Sequence, residues 1–166
     1  MLITLSPSKG QDFETPGLSK TYSKPRALKD SELLINELRK IRPKDIQQLM
    51  SVSENIAKLT ADRYRAFKTP FTPKNAKQAI FAFKGDVYSG IDIEKYKESD
   101  LKYAQDHLRI LSGLYGCLRP LDLVQPYRLE MKTKLPNARG DNLYQFWGDR
   151  ITDELNRELE EQKQPV

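Results

Sequence analysis

The chain has 166 residues, 38% of them hydrophobic, and 28 Lys+Arg against 23 Asp+Glu give a net charge of +5. That is length and apolar content enough for one domain with a sizeable core, and a mild bias toward phosphate-rich partners. A single cysteine, Cys117, excludes an internal disulfide, and with His107 as the one histidine there is no paired His/Cys set for a structural zinc or a His-rich iron site.

Residues 1–5 are apolar and strand-like. No basic residue precedes them and Ser6-Pro7-Ser8-Lys9-Gly10 cuts them short, so they are too brief for a signal peptide or a membrane span. The expectation is a cytoplasmic protein with no membrane partner, no bound metal and no cofactor. A Pro/Gly/Ser-containing segment follows to about residue 29, where Lys20, Lys24, Arg26 and Lys29 read as a solvated loop in preference to a nucleic-acid arm. Asp30 or Ser31 caps a first helix with Leu34, Leu38 and Ile41 on one face. Pro43 suits the first turn of a second helix running to Met50. Ser53 caps a third, in which Ile56, Leu59, Tyr64 and Phe67 form the buried stripe, and Pro70 and Pro73 end it. Residues 78–84, centred on Ala79-Ile80-Phe81-Ala82-Phe83, read as a strand covered on both faces. A helical stretch at 99–107 leads to a third apolar run, 108–111. A last amphipathic helix runs from about Phe146 to Gln162, with Ile151, Leu155 and Leu159 inward and Glu158, Glu160 and Glu161 outward.

Each strand-like run enters a polar, glycine-bearing loop: 6–10, 84–90 and 112–122. Ligands of α/β sheets gather outside the carboxyl ends of the strands. The pattern predicts an α/β (or α+β) fold with a mixed or mainly parallel sheet flanked by helices. If the three strands are parallel neighbours, Lys9, Lys84, Asp86, Tyr88, Ser112, Tyr115 and Arg119 share one cationic rim suited to a phosphate-bearing ligand; otherwise the loops are ordinary surface turns. Gly113 and Gly116 let the backbone bend and approach a ligand closely. Asp86, Asp122, Glu130 and Asp149 are candidate acid/base groups or oxygen ligands, with helix caps and ion pairs to Arg119, Arg128 or Arg150 as the favoured roles. Cys117 is a peroxide sensor if Arg119 favours its thiolate, although a buried, inert thiol is the preferred reading. Phe146 and Trp147 are expected as core anchors, and Tyr127 with Arg128 stays open between core and ligand contact.

Ile3-Thr4-Leu5-Ser6-Pro7, Ala82-Phe83-Lys84-Gly85-Asp86-Val87-Tyr88, Leu111-Ser112-Gly113-Leu114-Tyr115-Gly116, Leu118-Arg119-Pro120-Leu121-Asp122-Leu123, Gln125-Pro126-Tyr127-Arg128-Leu129-Glu130-Met131, Asn137-Ala138-Arg139-Gly140 and Tyr144-Gln145-Phe146-Trp147-Gly148-Asp149 resemble the YaaA family of peroxide-stress proteins, in order and over nearly the whole chain. The resemblance implies a cytoplasmic protein that limits reactive iron under hydrogen peroxide. It also implies DNA binding through a helix-hairpin-helix-like element, whose apolar-x-Gly-apolar-x-Gly spacing matches Leu111, Gly113, Leu114 and Gly116. Such a hairpin offers backbone amides to a phosphate. On this reading the DNA contacts are Lys9, Lys84, Ser112, Gly113, Tyr115, Gly116, Arg119 and Arg128. Against it, residues 108–111 as a strand compete with the hairpin's first helix, and Pro120 better suits the start of a helix than its interior. The rival function is an enzyme acting on a nucleotide or nucleobase, with Asp86, Tyr88, Ser112 or Asp122 as acid/base and orienting groups. The family continues with an Asn-Leu-Ala-Ser type motif and a basic Lys-Lys-Ala-Arg-Gly motif that do not occur here. Residues 1–166 are therefore expected to be one domain, the N-terminal part of a longer family domain. Pro7-Ser8-Lys9-Gly10 replaces the family's Pro-Ala-Lys-Thr, and Lys132 stands where a glycine is usual.

Overall fold

The apolar stretch before Pro7 forms β1 (Ile3–Leu5), and the chain turns into β2 (Gly10–Gln11). Three helices follow, α1 (Leu28–Leu38), α2 (Pro43–Met50) and α3 (Glu54–Ala66). Next come β3 (Lys77–Gln78), the single turn α4 (Ala79–Ala82), β4 (Phe83–Lys84) and the turn α5 (Asp86–Ser89). After a 3₁₀ turn at Ile93–Lys95, α6 (Glu98–His107) leads to β5 (Leu108–Ser112), β6 (Gly116–Leu118) and β7 (Leu123–Val124). The chain then forms α7 (Leu143–Trp147) and α8 (Arg150–Glu161). This computed structural model describes residues 1–162.

The central sheet has the order β1-β5-β6. β1 runs parallel to β5, Ile3 opposite Leu108 and Leu5 opposite Ile110, and β6 returns antiparallel with Gly116 opposite Ser112. Two short antiparallel ladders stand beside it, β2 with β4 and β3 with β7. Helices on the flanks complete the mixed α/β class. Leu34, Leu38, Tyr64, Phe81, Ile110, Leu118 and Phe146 belong to one contiguous apolar core. Among the described residues no helix is long and apolar enough to cross a membrane.

Several local expectations give way to tertiary packing. The first helix starts at Leu28, ahead of Asp30 and Ser31; Ser31 is buried in its first turn and donates its hydroxyl back to Ala27 O at 3.1 Å. In α3, capped by Ser53 as expected, the buried face is Ala57, Thr60, Ala61 and Tyr64, while Ile56 and Leu59 are 38% and 51% exposed. Tyr64 and Phe67 are buried as expected, but Ala57, Thr60 and Ala61 take the places expected for Ile56 and Leu59 where α3 lies against its neighbours. The run 78–84 is buried on all sides from Gln78 to Phe83 but is not one strand. Ala79 and Ile80 donate their amides to Asp122 O and Pro120 O, which satisfies the backbone of a helical turn and leaves β4 to pair with β2, outside the central sheet. The last helix is two helices, broken at Gly148, whose φ of 49° no continuing helix has. In α8, Ile151 packs against the core as expected and Leu155 is half-buried, but the fully buried residue is Glu158, 5% exposed, and Leu159 is 38% exposed.

The helix-hairpin-helix expectation is corrected as well. Residues 108–118 form a β-hairpin, closed by Gly113, Leu114 and Tyr115 and re-entered by Gly116 at φ 68°. Pro120 starts no helix; it sits in a turn in which Asp122 N donates to Arg119 O.

Candidate functional site

The parallel pair β1 and β5 points its carboxyl ends at one cleft of about 400 Å³, lined by residues 6–9, Gln11, Leu111, Gly113 and the strap 127–131. Four interactions lay that strap across the strand ends. Tyr127 N donates to Gln11 Oε1 at 3.1 Å, and Tyr127 Oη shares a 2.7 Å hydrogen bond with Ser112 Oγ. Tyr64 Oη donates to the carbonyl of Arg128, and Lys9 Nζ lies 3.2 Å from Glu130 Oε1. Beneath the cleft, Tyr127 packs edge-on against Phe83 and Tyr115, and Phe83 packs against Tyr88.

Two of the three predicted loops meet directly. Ser8 Oγ donates to Lys84 O, Lys84 pairs with Gly10 through β4 and β2, and Tyr88 Oη donates to Ser6 O at 2.9 Å. The start of the third loop, Gly113, lines the same cleft as Lys9. Lys84 and Tyr88 border an adjoining hollow of about 340 Å³, and Asp86 is exposed in the first turn of α5. The rim thus joins Lys9, Arg128 and, next door, Lys84.

Other predicted residues are placed elsewhere or engaged inside. Because β6 runs back along β5, with Leu118 opposite Ile110, Arg119 emerges toward the far end of the sheet from Ser112. There Asp122, fully buried, accepts from Arg119 N at 2.8 Å, from its guanidinium at 2.8 Å and from Ser23 Oγ at 2.6 Å. That is the ion-pair role anticipated for an aspartate near Arg119. Tyr115 is fully buried, its hydroxyl donating to Gln125 O and accepting from Gln125 N. Ser112 Oγ accepts from Leu114 N and Tyr115 N and so caps the hairpin turn. The glycines serve close approach, but to the protein itself. A Cβ on Gly113 would stand 2.5 Å from Leu129 O, and one on Gly116 would stand 2.8 Å from the Trp147 ring.

Burial sets the electrostatics. The hydroxyls of Tyr88 and Tyr127 are pushed well above the ordinary tyrosine range by desolvation, so both are neutral at physiological pH. Burial raises Glu130 as well, but hydrogen bonding from Lys9 and the charges of Lys9 and Lys132 outweigh it and hold the carboxyl below its ordinary value. Cys117 is 1% exposed, and burial, reinforced by the charges of Glu154 and Glu158, pushes its thiol up to about 12. Trp147 and Phe146 are core anchors, Trp147 donating Nε1–H to Gly113 O at 3.0 Å. Among the described residues no three His, Cys, Asp or Glu side chains gather as a metal-binding group. Helical spacing marked Tyr64 as buried but not as a residue that holds the strap, and no short-range signal marks Gln11, which holds it from another distant segment.

Fold and site together define a mixed-sheet α/β protein with a cationic cleft at the carboxyl ends of the parallel pair β1 and β5. Sequence comparison carries this to a family. The model described as "Peroxide stress protein YaaA" matches residues 1–166, and the chain belongs to that family. It is 52% identical over 166 residues to a UPF0246 protein of Cellvibrio japonicus, covering 100% of this chain and 64% of that relative. It is 56% identical over 160 residues to one of Burkholderia lata (96% and 62%). With one of Shewanella piezotolerans it shares 58% over 157 residues (95% and 61%). The chain therefore spans a little under two thirds of the length of these curated relatives.

Proposed function

We propose that this chain is the DNA-contacting part of a cytoplasmic peroxide-stress protein, the N-terminal part of a longer family domain, whose whole form limits reactive iron and oxidative damage. The observation that carries the DNA reading is the cleft at the ends of β1 and β5, cationic at Lys9 and Arg128, with Lys84 on the adjoining ladder. The net charge of +5 agrees with a phosphate-rich partner. The contacts are to phosphates, so binding is tolerant of sequence and weakens with salt. Arg119 lies toward the other end of the sheet and takes no part in this cleft. The iron function rests on family membership alone.

The enzyme reading has less support. Of its four candidate groups, Tyr88, Ser112 and Asp122 are engaged in internal hydrogen bonds, which leaves Asp86, exposed in the first turn of α5, to exchange protons. Titration of a short DNA duplex at rising salt tests the choice. Log K is expected to fall linearly with log salt, and Lys9→Gln to reduce the slope by about one while Lys102→Gln, on α6, leaves it unchanged. An affinity indifferent to salt removes the DNA reading. Turnover of a nucleotide that is abolished by Asp86→Asn with DNA affinity intact establishes the enzyme instead.

A further inference from the structure

We propose that the outer edge of β1 is a docking edge for the part of the family's chain beyond residues 1–166, which adds a strand parallel to β1 to the central sheet. The proposal deepens the reading of residues 1–166 as the N-terminal part of a longer family domain, and rests on it.

The sheet is finished on one side and bare on the other. In the order β1-β5-β6, the outer strand β6 is buried throughout, with the Trp147 ring against Gly116. Arg109 and Ile110 of β5 point to opposite faces and both are buried, so β5 is covered above and below. Their partners in β1 are Thr4 and Leu5, and there Ile3 and Thr4, which also point to opposite faces, are both exposed. Cover therefore stops between β5 and β1. Among the described residues β1 pairs with β5 alone, which leaves the backbone groups of its other edge without a strand. Residues 2–5 carry no charge and no proline, two of the usual means of blunting an edge. The bare area continues beside the strand. Met1 is exposed, its carbonyl lies 3.0 Å from His107 Nδ1, and the exposed Tyr103 packs on that imidazole with ring centres 4.3 Å apart.

Two observations select the occupant. More than a third of the length of the Cellvibrio japonicus and Burkholderia lata relatives lies outside the part that this chain matches. And α8 brings the chain to the bare edge, because Gln162, just past its last residue, accepts at Oε1 from the amino group of Met1. A segment running on from there meets β1 at its Met1 end and passes along it toward Leu5, which is the parallel course and the usual one after a helix packed on a sheet. Tethering makes this docking intramolecular, so it outcompetes capture of a second copy. Main-chain hydrogen bonds hold the added strand, and its apolar side chains cover Ile3 and Tyr103. Its carboxyl end then stands beside those of β1 and β5, and the loop after it adds a wall to the cleft at Lys9 and Gly113.

The test joins this chain to the part of the Cellvibrio japonicus relative that follows the matched residues and compares hydrogen exchange at the amides of residues 2–5 with that in chain 1–166. The amides that do not donate to β5 are expected to exchange about a hundredfold more slowly in the joined chain. Ile3→Lys is expected to lower the Tm of the joined chain by several degrees and to leave that of chain 1–166, where Ile3 is exposed, nearly unchanged. If the joined chain does not fold, the full-length relative takes its place, read at the residues aligned with 2–5. Amides of β1 that exchange equally fast with and without the added part overturn the docking. A single melting transition in that case leaves the one-domain reading standing, whereas two separate transitions remove it as well. Protection that arises only on dimerisation gives the edge to a second copy and overturns the proposal, as do the close Hα–Hα contacts of an antiparallel neighbour. Duplex DNA is titrated separately. Failure to bind it while β1 is protected removes the DNA reading and supports the docking unchanged.

Discussion

Cys117 shows how one position is decided by its surroundings. In the sequence it stands two residues from an arginine, but Arg119 is engaged with Asp122, and the charges of Glu154 and Glu158 reinforce burial in holding the thiol protonated. With the thiol pushed up to about 12, almost none is thiolate at neutral pH, and peroxide reacts with thiolate. Native protein is therefore expected to resist thiol-labelling reagents near neutral pH and to react fully once unfolded. Fast labelling of the folded chain would restore the sensor reading. Gly113 makes the complementary point, since its missing side chain admits the carbonyl of Leu129 and so lets the strap close over the strand ends.

Among the elements, α8 departs furthest from its pattern. Its polar face carries Glu158 into the protein because Arg109, on β5 and 4% exposed, requires an anion. Glu158 Oε2 accepts from Arg109 Nε at 2.6 Å, and Glu158 also pairs with Arg26. Removing one partner of a buried pair strands the other charge. Glu158→Ala is expected to lose roughly 3–5 kcal/mol in urea denaturation at neutral pH. A loss below about 1 kcal/mol would mean that water serves Arg109 equally well. The same reasoning explains α3, where periodicity located the helix and its cap but the choice of buried face fell to alanines that permit close approach.

For the whole molecule, the cleft depends on segments far apart in the chain meeting at the ends of two parallel strands, and charge helps to close it. Glu130 on the strap binds Lys9 on the loop after β1, and its folded value lies below the ordinary 4.5. A depressed carboxylate contributes stability that is fully present above the unfolded value and is lost as pH falls through the folded one. Wild-type Tm should therefore drop below about pH 4.5 more steeply than that of Glu130→Gln; parallel acid limbs would show that the pair contributes nothing.

What the sequence by itself determined is local and periodic. It located β1, the cap at Ser53, the helix opened by Pro43, the apolar run 108–111 that lies in β5 and the burial of Phe146 and Trp147, because each follows from propensity, capping chemistry or apolar spacing within a few residues. Long strings of residues in order carry the family likeness without any geometry. Only the tertiary structure decided that 78–84 contains a helical turn, that Glu158 faces inward, and that Arg119 emerges toward the opposite end from Lys9. Those outcomes depend on where backbone donors find carbonyls and where buried charges find partners, and such partners lie tens of residues away, beyond the reach of any local pattern.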